Sequence, residues 1–392
     1  MKAVVCHQSE LTVREVPDPS PDRGQLLLRV LRCGICGSDL HARHHAEELR
    51  EAARATGYDG VMGPDDEVVM GHEFVGEVID VARGSRGGAK VGDRVVAMPI
   101  VRGAGGVHPT GLSRFAPGAY AEQVVVESSL AMKVPDDLPT DVAALTEPMA
   151  VALHAVRRGE VGRKQVAVVV GCGPIGLAVI AMLKATGVRT VVASDFSAAR
   201  RAMAEAVGAD VVVDPATDDP WTAYDTSRYV TEAAQMFDLA VGSMDKLRAL
   251  PLVPWWHVMH AAELAGALPQ GPVVFECVGV PGIIDDIVAR APLASRVVVV
   301  GVTMQADTIR PAIAINKEID LRFVLAYTPR EFHDTLQMLA SGSVPAETAR
   351  VLLTGTVGLG GVDGAFAALG NPERHAKILI DPAQQGTAVG TP

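Results

Sequence analysis

The stretch Val166–Leu183 constrains the fold of this chain more than any other. It opens with a β-branched run, turns through Gly171-x-Gly173-x-x-Gly176, and continues with small and aliphatic residues suited to a helix. In such a turn Gly171 permits the tight bend, Gly173 lets backbone N–H groups approach a pyrophosphate, and Gly176 lets the helix pack close to the strand. The pattern predicts a strand–turn–helix unit that holds dinucleotide phosphates at the positive helix N-terminus.

The residues around this turn indicate which dinucleotide is bound. A second β run, Arg189–Ser194, ends in Asp195, nineteen residues after Gly176. An acidic side chain at that distance accepts hydrogen bonds from the adenosine ribose hydroxyls and repels a 2′-phosphate. The sequence therefore favours NAD over NADP, with Pro174 and Ile175 completing the phosphate-binding turn.

Two other interpretations of Val166–Leu183 have to be weighed. The stretch carries no charged residue over eighteen positions, which matches the lower length limit of a membrane span. Three glycines, a proline and the flanking Lys164 and Lys184 argue against a span. The other interpretation is a strand–turn–helix that binds nothing, and the position of Asp195 argues against it.

Size and composition narrow the class of protein. A length of 392 residues predicts about two domains, and 48% apolar with 21% charged residues is typical of a soluble globular protein. The net charge of −11 argues against nucleic acid or an anionic membrane as partner. The amino terminus lacks the apolar core of a secretory signal, and five scattered cysteines do not suggest a disulfide framework, so we expect a cytoplasmic protein.

The two halves of the chain show different strand patterns. Short β runs with Gly/Pro turns between them predict a partly closed β-barrel in the first half: 2–6, 11–16, 25–31, 73–81, 94–98, 120–126 and 131–134. Buried runs at 273–278, 296–302 and 320–326 complete an open parallel sheet with the two runs around the glycine turn. Ligands bind at the carboxyl ends of such strands, where Val278, Gly301 and Val302 are candidate cofactor contacts.

Residues suited to a catalytic zinc site lie in the first half. Cys36 follows Cys33 in a Cys-x-x-Cys pair, but no second pair exists to complete a four-thiolate site. Gly71-His72-Glu73 and Thr146-Glu147-Pro148 follow later in the chain. Thiolate, imidazole and carboxylate are the ligands of catalytic zinc, which keeps a fourth position open. Taken singly, each residue has an ordinary structural explanation; together with the glycine turn they indicate a metal site.

These motifs resemble those of the zinc-dependent medium-chain alcohol/polyol dehydrogenases over nearly the whole chain. The resemblance rests on residues 34–41, 71–73, 92–95, 117–122, 147–148, 171–176 and Asp195. It implies an α/β protein with an N-terminal GroES-like β-barrel catalytic domain and a Rossmann doubly wound parallel-sheet cofactor domain. The domains expected are 1–151 (catalytic), 152–327 (NAD-binding, with an insertion at about 215–271) and 328–392 (return to the catalytic domain and a flexible, disordered tail).

The resemblance also implies roles for individual residues. Cys36, His72 and Glu147 match zinc ligands, and Glu73 matches a carboxylate beside the metal that exchanges with water as ligand. Zinc in such a site polarises the alcohol oxygen. In the expected proton relay Ser38 passes the substrate proton through the cofactor ribose to His41, and Asp39 orients His72. The matching cofactor contacts are Arg200 near the adenosine, which keeps NADP open as an alternative, and Lys377 near the phosphates.

The chain departs from this pattern in three places. Residues 96–120 lack the four cysteines that hold a structural zinc in many relatives, so we expect one zinc per subunit and a lobe held by packing or by a neighbouring subunit. The segment 42–70 is longer than in relatives and carries a charged helix whose His44 and His45 we expect on a solvated face. The segment 215–271 predicts helices at 230–249 and 256–267 and contains all three tryptophans, which we expect to pack against the sheet.

The function expected from these residues is hydride transfer between an alcohol and NAD, giving an aldehyde or ketone. The substrate, a small alcohol or carbonyl compound, stays open among polyols, sugars, amino alcohols and simple alcohols. A homodimer or a homotetramer fits the resemblance. The alternatives are a zinc-free NADPH-dependent enone or quinone reductase and an NAD(H)-binding sensor without turnover. The metal ligands argue against the first, and Ser38 with His41 argues against the second.

Overall fold

The computed structural model of this protein describes residues 1–250, 254–266 and 268–391. Its first part is rich in strands. The strands are β1 (Lys2–His7), β2 (Glu10–Glu15), β3 (Gln25–Gly34), β4 (Val68–Val69), β5 (Glu73–Val81), β6 (Arg94–Ala97), β7 (Ile100–Gly103), β8 (Gly106–Pro109), β9 (Gln123–Glu127) and β10 (Ala131–Lys133). The helices of this part are α1 (Gly37–His44), α2 (Ala46–Ala55), α3 (Thr140–Ala143) and α4 (Thr146–Gly159).

The second part alternates strands and helices, and the third returns to the first. The second contains β11 (Val166–Val170), α5 (Pro174–Ala185), β12 (Thr190–Ser194), α6 (Ala198–Ala206), β13 (Val211–Val213), α7 (Ala233–Arg248), α8 (Trp255–Leu264), β14 (Val273–Glu276), α9 (Ile283–Arg290), β15 (Arg296–Val299), α10 (Pro311–Asn316) and β16 (Asp320–Phe323). The third contains α11 (Pro329–Ala340), α12 (Ala346–Arg350), β17 (Leu353–Val357), α13 (Val362–Leu369) and β18 (Lys377–Ile380).

The barrel sheet joins the two ends of the chain. Its strands run in the order β10-β6-β5-β3-β18-β17, and β9 also pairs with β3. β3 and β5 are antiparallel and bring Gly34 opposite Glu73. β18 pairs antiparallel with the end of β3, so Leu379 lies opposite Gly34. The last strand of the protein therefore lies beside the segment that carries Cys36.

The second sheet is parallel throughout, with the order β13-β12-β11-β14-β15-β16. Numbered within this sheet, that order is 3-2-1-4-5-6, the arrangement of a doubly wound dinucleotide-binding fold. Its strands are valine-rich because both faces of such a sheet are covered by helices. The expected α/β architecture, a β-barrel followed by a doubly wound parallel sheet, is observed.

The charge-free stretch Val166–Leu183 divides into a strand and a helix. β11 ends at Val170, Gly171 has a φ of +91°, and α5 begins at Pro174. A proline at the first helical position is favoured because its missing N–H would be unpaired there in any case. No helix among the described residues combines the length and apolar character needed to cross a bilayer.

The domain boundary near residue 151 and the carboxyl-terminal tail are two places where the structure bears on the expected organisation of the chain. The predicted boundary after residue 151 falls within α4, whose Leu153 packs in one core with Leu177 of α5, and the proposed domain limits stay predictions. The tail was expected to be disordered, yet Gly390 exchanges two backbone hydrogen bonds with Thr356 and Val389 packs against the barrel core. That expectation is wrong at these two residues, because backbone pairing with the edge strand β17 and apolar contacts hold them in place.

Only part of the long segment between β13 and β14 packs against the sheet. Trp221 is buried against the valines of the sheet, as expected. α7 and α8 have no buried residue, and Trp256 is 56% exposed, so plain packing against the sheet is wrong for this tryptophan. The predicted helices agree with α7 and α8 to within three residues at each end, and Ala267 lies outside the described residues.

The cysteine-free lobe is held within its own chain. β7 and β8 form a hairpin, and the buried His108 contacts Tyr58 Oη at 2.7 Å through Nδ1 and the carbonyl of Ala104 at 2.9 Å through Nε2. Tyr58 belongs to the long segment after α2, which also anchors the lobe through Met62 and Leu112, whose N–H and C=O are 2.9 Å apart. This segment and packing fasten the lobe, which contains no cysteine.

Substituting Gly176 with alanine should destabilise the protein, because the new Cβ would lie 1.9 Å from the carbonyl oxygen of Gly171. We expect a loss of about 1–3 kcal/mol in the free energy of unfolding, the usual cost of overpacking. Equilibrium denaturation in urea measures it. Gly173→Ala is the matched control, since its added methyl meets no heavy atom within 4 Å. Equal stability of Gly176→Ala and the control would contradict the close strand–helix contact.

Candidate active site

The turn between β3 and α1 positions Cys36. Cys36 is the N-cap residue of α1, and its backbone N–H donates to Asp39 Oδ2 at 3.0 Å. This contact satisfies one of the unpaired N–H groups at a helix start and fixes Asp39 inside the protein. Asp39 is fully buried, whereas Cys36 is half-buried. The local fold therefore leaves the thiol of Cys36 partly exposed and places the carboxylate of Asp39 in the core.

His72 and Glu73 enter the same region at the start of β5. Gly71 has a φ of +99°, and a Cβ there would lie 2.4 Å from the Tyr120 ring, so only glycine allows this entry. The Cys36, His72 and Glu73 ligand atoms all lie within 4.8 Å of one another. Among the residues that the structure describes, no other group of three potential ligands is this close.

Asp39 lies behind the imidazole of His72. Asp39 Oδ1 is 3.2 Å from His72 Nδ1, and Tyr120 donates its hydroxyl to Asp39 Oδ2 at 2.6 Å. Although burial opposes it, His72 and Tyr120 lower the pKa of Asp39, and Asp39 in turn raises the pKa of His72 well above its ordinary value. A carboxylate behind a ligating imidazole fixes the ring's orientation and increases its basicity.

A lysine on the last strand, β18, binds the carboxylate of Glu73. Lys377 on β18 donates to Glu73 Oε1 at 2.7 Å, contacts Oε2 as well, and donates to the carbonyl of Ile35 at 3.2 Å. Both side chains are completely buried. Although burial opposes it, the charge of Glu73 raises the pKa of Lys377, so Lys377 carries its positive charge. The ammonium of Lys377 faces the carboxylate, and its contact with cofactor phosphates stays a prediction.

Glu147, at the start of α4, is a second buried carboxylate near this group. Its one hydrogen-bond partner among the described residues is Tyr327, whose hydroxyl donates to Oε1 at 2.9 Å. Burial, together with the charge of Glu73, raises the pKa of Glu147 to about 7. Glu147 lies outside the 4.8 Å group, although the charges of His72 and Glu73 act on it. A buried carboxylate with a single neutral partner is one that a divalent cation would hold in its ionised form.

The residues expected in the proton relay lie on α1. Ser38 Oγ is 3.2 Å from His72 Nε2, and His41 lies one turn further along the helix, half-buried. Burial and the neighbouring His45 lower the pKa of His41. His44 is exposed and His45 lies 3.5 Å from Glu48, so both belong to the charged surface that the sequence predicts. Neither belongs to the group formed by Cys36, His72 and Glu73, which is called the metal group below.

The carboxyl edge of the parallel sheet brings together most of the expected cofactor contacts. A Cβ on Gly171 would lie 2.6 Å from Val278 Cγ2, so the glycine turn and the end of β14 are in contact. Gly279 at the end of β14 similarly contacts the backbone of Val302 after β15. Val278 and Val302 are 42% and 49% exposed. Exposed valines here leave an apolar wall at the edge where dinucleotides bind.

Asp195 and Arg200 lie at the other side of the glycine turn. The carboxylate of Asp195 accepts from the N–H groups of Cys172 at 2.7 Å and Ser197 at 2.8 Å. These contacts hold it beside the turn and leave lone pairs for other donors. Arg200 Nε is buried and has no hydrogen-bond partner among the described residues. Asp195 therefore lies next to the glycine turn, and the roles of both in cofactor binding stay predictions.

Sequence reasoning missed three partners of the site. Tyr120 belongs to the motif at 117–122 and Tyr327 lies at the predicted limit of the cofactor domain, but the sequence predicts no hydrogen bond for either. The ion pair between Glu73 and Lys377 joins residues 304 positions apart. A buried tyrosine needs a partner for its hydroxyl, which is the one available signal, but the identity of the partner depends on the tertiary fold.

Comparison with known proteins agrees with this geometry. Residues 22–136 match the alcohol dehydrogenase GroES-like domain family, and residues 174–244 match the zinc-binding dehydrogenase family. The chain is 31% identical to (R,R)-butanediol dehydrogenase of Bacillus subtilis over 97% of its own length and 100% of that protein. This chain belongs to the zinc-dependent medium-chain alcohol/polyol dehydrogenase family. The expected family is thereby confirmed.

Two further proteins are similar to this dehydrogenase, one over nearly its whole length and one over about half of it. The crystal structure of 2R,3R-butanediol dehydrogenase from Bacillus subtilis superposes with a TM-score of 0.72 at 29% identity, covering 97% of this chain and 99% of that one. Erythritol/L-threitol dehydrogenase of Mycolicibacterium smegmatis is 36% identical over 56% of this chain and 64% of that protein. Family membership makes the chain an alcohol or polyol oxidoreductase that uses zinc and a nicotinamide cofactor.

The buried pair of Glu73 and Lys377 predicts a specific stability pattern. Lys377→Met leaves a buried carboxylate without its cation and should cost about 3–5 kcal/mol of unfolding free energy. The double variant Glu73→Gln/Lys377→Met should recover most of that loss, because neither charge then remains unpaired. Urea denaturation of both proteins measures the difference. A double variant as unstable as Lys377→Met would contradict the pairing.

Proposed function

We propose that this dehydrogenase uses one zinc ion, held by Cys36, His72 and Glu147, and NAD to oxidise a secondary alcohol of a diol or polyol to the ketone. The observation that carries the proposal is the group of a thiol, an imidazole and buried carboxylates in a chain that also presents a glycine turn followed by Asp195. Bound zinc would act as a Lewis acid towards the alcohol oxygen. The substrate class follows the names of two relatives, the butanediol and the erythritol/L-threitol dehydrogenases.

The choice of Glu147 over Glu73 rests on charge. Glu73 is closer to Cys36 and His72, but both of its oxygens are bound by the ammonium of Lys377. Among the described residues Glu147 has only a phenol as partner, so no side-chain cation competes with a metal ion for this carboxylate. A thiolate and two ionised carboxylates together would also give the site more negative charge than the three protein ligands of a catalytic zinc site usually carry. Glu73 then serves to hold the last strand against the site.

The chain's own groups supply the path for the alcohol proton. Ser38 Oγ, 3.2 Å from the His72 ring, is the first hydroxyl beyond the metal group and takes the proton from the substrate. With the cofactor bound, His41 would accept this proton by way of the ribose hydroxyl and would release it to solvent. A lowered pKa keeps His41 neutral at pH 7, so its ring is free to accept the proton.

The proposal also includes a preference for NAD, one zinc ion per subunit and a homo-oligomeric assembly. Asp195 would repel a 2′-phosphate next to the ribose. One zinc per subunit agrees with a lobe that Tyr58 and His108 fasten without thiolates. A homodimer or homotetramer in the cytoplasm fits the family and the five free thiols.

Two other functions are tested by the same preparation. A zinc-free NADPH-dependent enone or quinone reductase would keep its activity after chelation and would prefer NADPH. An NAD(H) sensor without turnover would bind NADH yet fail with every alcohol of a broad panel. Assays of diols, polyols, amino alcohols and simple alcohols with NAD and NADP, with zinc content measured on the same sample, separate the three. Turnover of diols or polyols with NAD that chelation abolishes supports the dehydrogenase.

Removing the thiolate tests the metal site. Cys36→Ser should lose zinc and turnover, because a serine hydroxyl is a poor zinc ligand at neutral pH, while NADH binding stays within about twofold of wild type. Zinc analysis, steady-state kinetics and NADH fluorescence titration give the three results. Cys6→Ser, a buried thiol of the same part of the chain outside the metal group, is the control and should keep its zinc. Turnover that survives Cys36→Ser would show the metal assignment to be wrong.

Replacing the end of the proton path tests the relay. His41→Gln should slow alcohol oxidation near pH 7 by on the order of 100-fold, the lower end of general-base contributions. The deficit should shrink as pH rises, because hydroxide then takes the proton that glutamine cannot accept. In the wild type, the rate should fall only below the pH range in which an ordinary histidine titrates, because burial lowers the pKa of His41. Parallel pH profiles of kcat in wild type and variant would contradict the role of His41.

A further inference from the structure

The segment between α13 and β18 reaches across to the cofactor sheet. It brings Pro372 and Glu373 to the N-terminus of α6, which follows Asp195 directly. Ser197 donates its hydroxyl to the carbonyl of Pro372 at 3.3 Å, and the N–H of Ala199 donates to Glu373 Oε2 at 3.2 Å. A carboxylate from the catalytic part of the chain thus lies on the first turn of a cofactor-domain helix.

This contact places a negative charge where an anion would be favoured. The first turn of a helix presents N–H groups that have no partner within the helix, and it carries partial positive charge. The Ser197 hydroxyl and the N–H groups of Ala199 and Ala198 lower the pKa of Glu373. Glu373 is exposed and ionised, and it uses the donors that would otherwise be free to bind a phosphate.

The same turn adjoins the position proposed for the adenosine ribose. Asp195 Oδ1 accepts from the N–H of Ser197, two residues before the N–H that Glu373 binds. The guanidinium of Arg201 is also occupied, since it donates to the carbonyls of Asp195 and Phe196 and pairs with Asp214 at 3.0 Å. A 2′-phosphate beside Asp195 would therefore meet a second carboxylate and would find the Ala199 N–H and the Arg201 guanidinium already used, which leaves Arg200 as the one cationic side chain of this turn without a partner for its Nε among the described residues.

We propose that Glu373 is a second determinant of cofactor specificity, which excludes the 2′-phosphate of NADP by occupying the first turn of α6. The inference rests on the proposed function, which places the adenosine ribose at Asp195. It adds a residue 178 positions away from Asp195, on the segment that returns to the catalytic part. Selection of the cofactor then depends on both parts of the chain and not on the cofactor sheet alone.

The experiment measures binding of the cofactor's adenosine half without turnover. Isothermal titration compares ADP-ribose with 2′-phospho-ADP-ribose on wild type, Glu373→Gln and Glu373→Ala. Glutamine keeps an oxygen for the Ala199 N–H but removes the charge, and alanine also frees the N–H. We expect the affinity for 2′-phospho-ADP-ribose to rise about tenfold in Glu373→Gln and further in Glu373→Ala, with ADP-ribose within twofold. Glu205→Gln is the matched control, an exposed carboxylate at the other end of α6.

Each outcome decides a separate claim. If wild type binds neither ADP-ribose nor NADH, the proposed function fails before Glu373 is tested. If both ligands gain or lose affinity equally in the two variants, Glu373 only stabilises the turn and the inference is overturned. The inference also fails if ADP-ribose binds normally and both variants discriminate as the wild type does. Thermal unfolding of each variant confirms that the proteins compared are folded.

Discussion

Buried charges in this protein need partners, and that constraint organises the site. Asp39, Glu73 and Glu147 are three carboxylates removed from water around one imidazole. Asp39 is balanced by His72 and Tyr120, and Glu73 by Lys377, whereas Glu147 has one neutral hydroxyl. An unbalanced buried carboxylate is costly unless it is protonated or bound to a cation. Glu147 interacts with the charges of His72 and Glu73 but forms no ion pair among the described residues, so a divalent metal bound here would balance it.

The topology supplies these partners from distant parts of the chain. β3 and α1 bring Cys36 and Asp39, β5 brings Glu73, and the final strand β18 lies beside β3 and brings Lys377. The segment just before β18 also contacts the start of α6, the helix that follows β12 of the cofactor sheet. The return of the chain to the barrel therefore does more than complete a sheet. It fixes a carboxylate beside the metal group and contacts the turn that follows Asp195.

The sequence predicts the local parts of this arrangement and misses the long-range ones. Glycine spacing and a following acid identify the turn before α5 because their geometry depends on neighbours in sequence. The partners of Glu147 and Glu73 lie 180 and 304 positions away, and no local pattern indicates which buried tyrosine or lysine reaches them. The exposed Trp256 and the pairing of Gly390 were mispredicted for the same reason, since composition does not determine tertiary neighbours.

The central claim is that one thiolate, one imidazole and one carboxylate from distant segments bind a single zinc ion. Zinc K-edge X-ray absorption on the purified protein tests it most directly. The account predicts one zinc per subunit with a single sulfur neighbour at about 2.3 Å and nitrogen or oxygen neighbours at about 2.0–2.2 Å. A first shell with no sulfur, a shell of several sulfurs, or a protein that binds no zinc would contradict it.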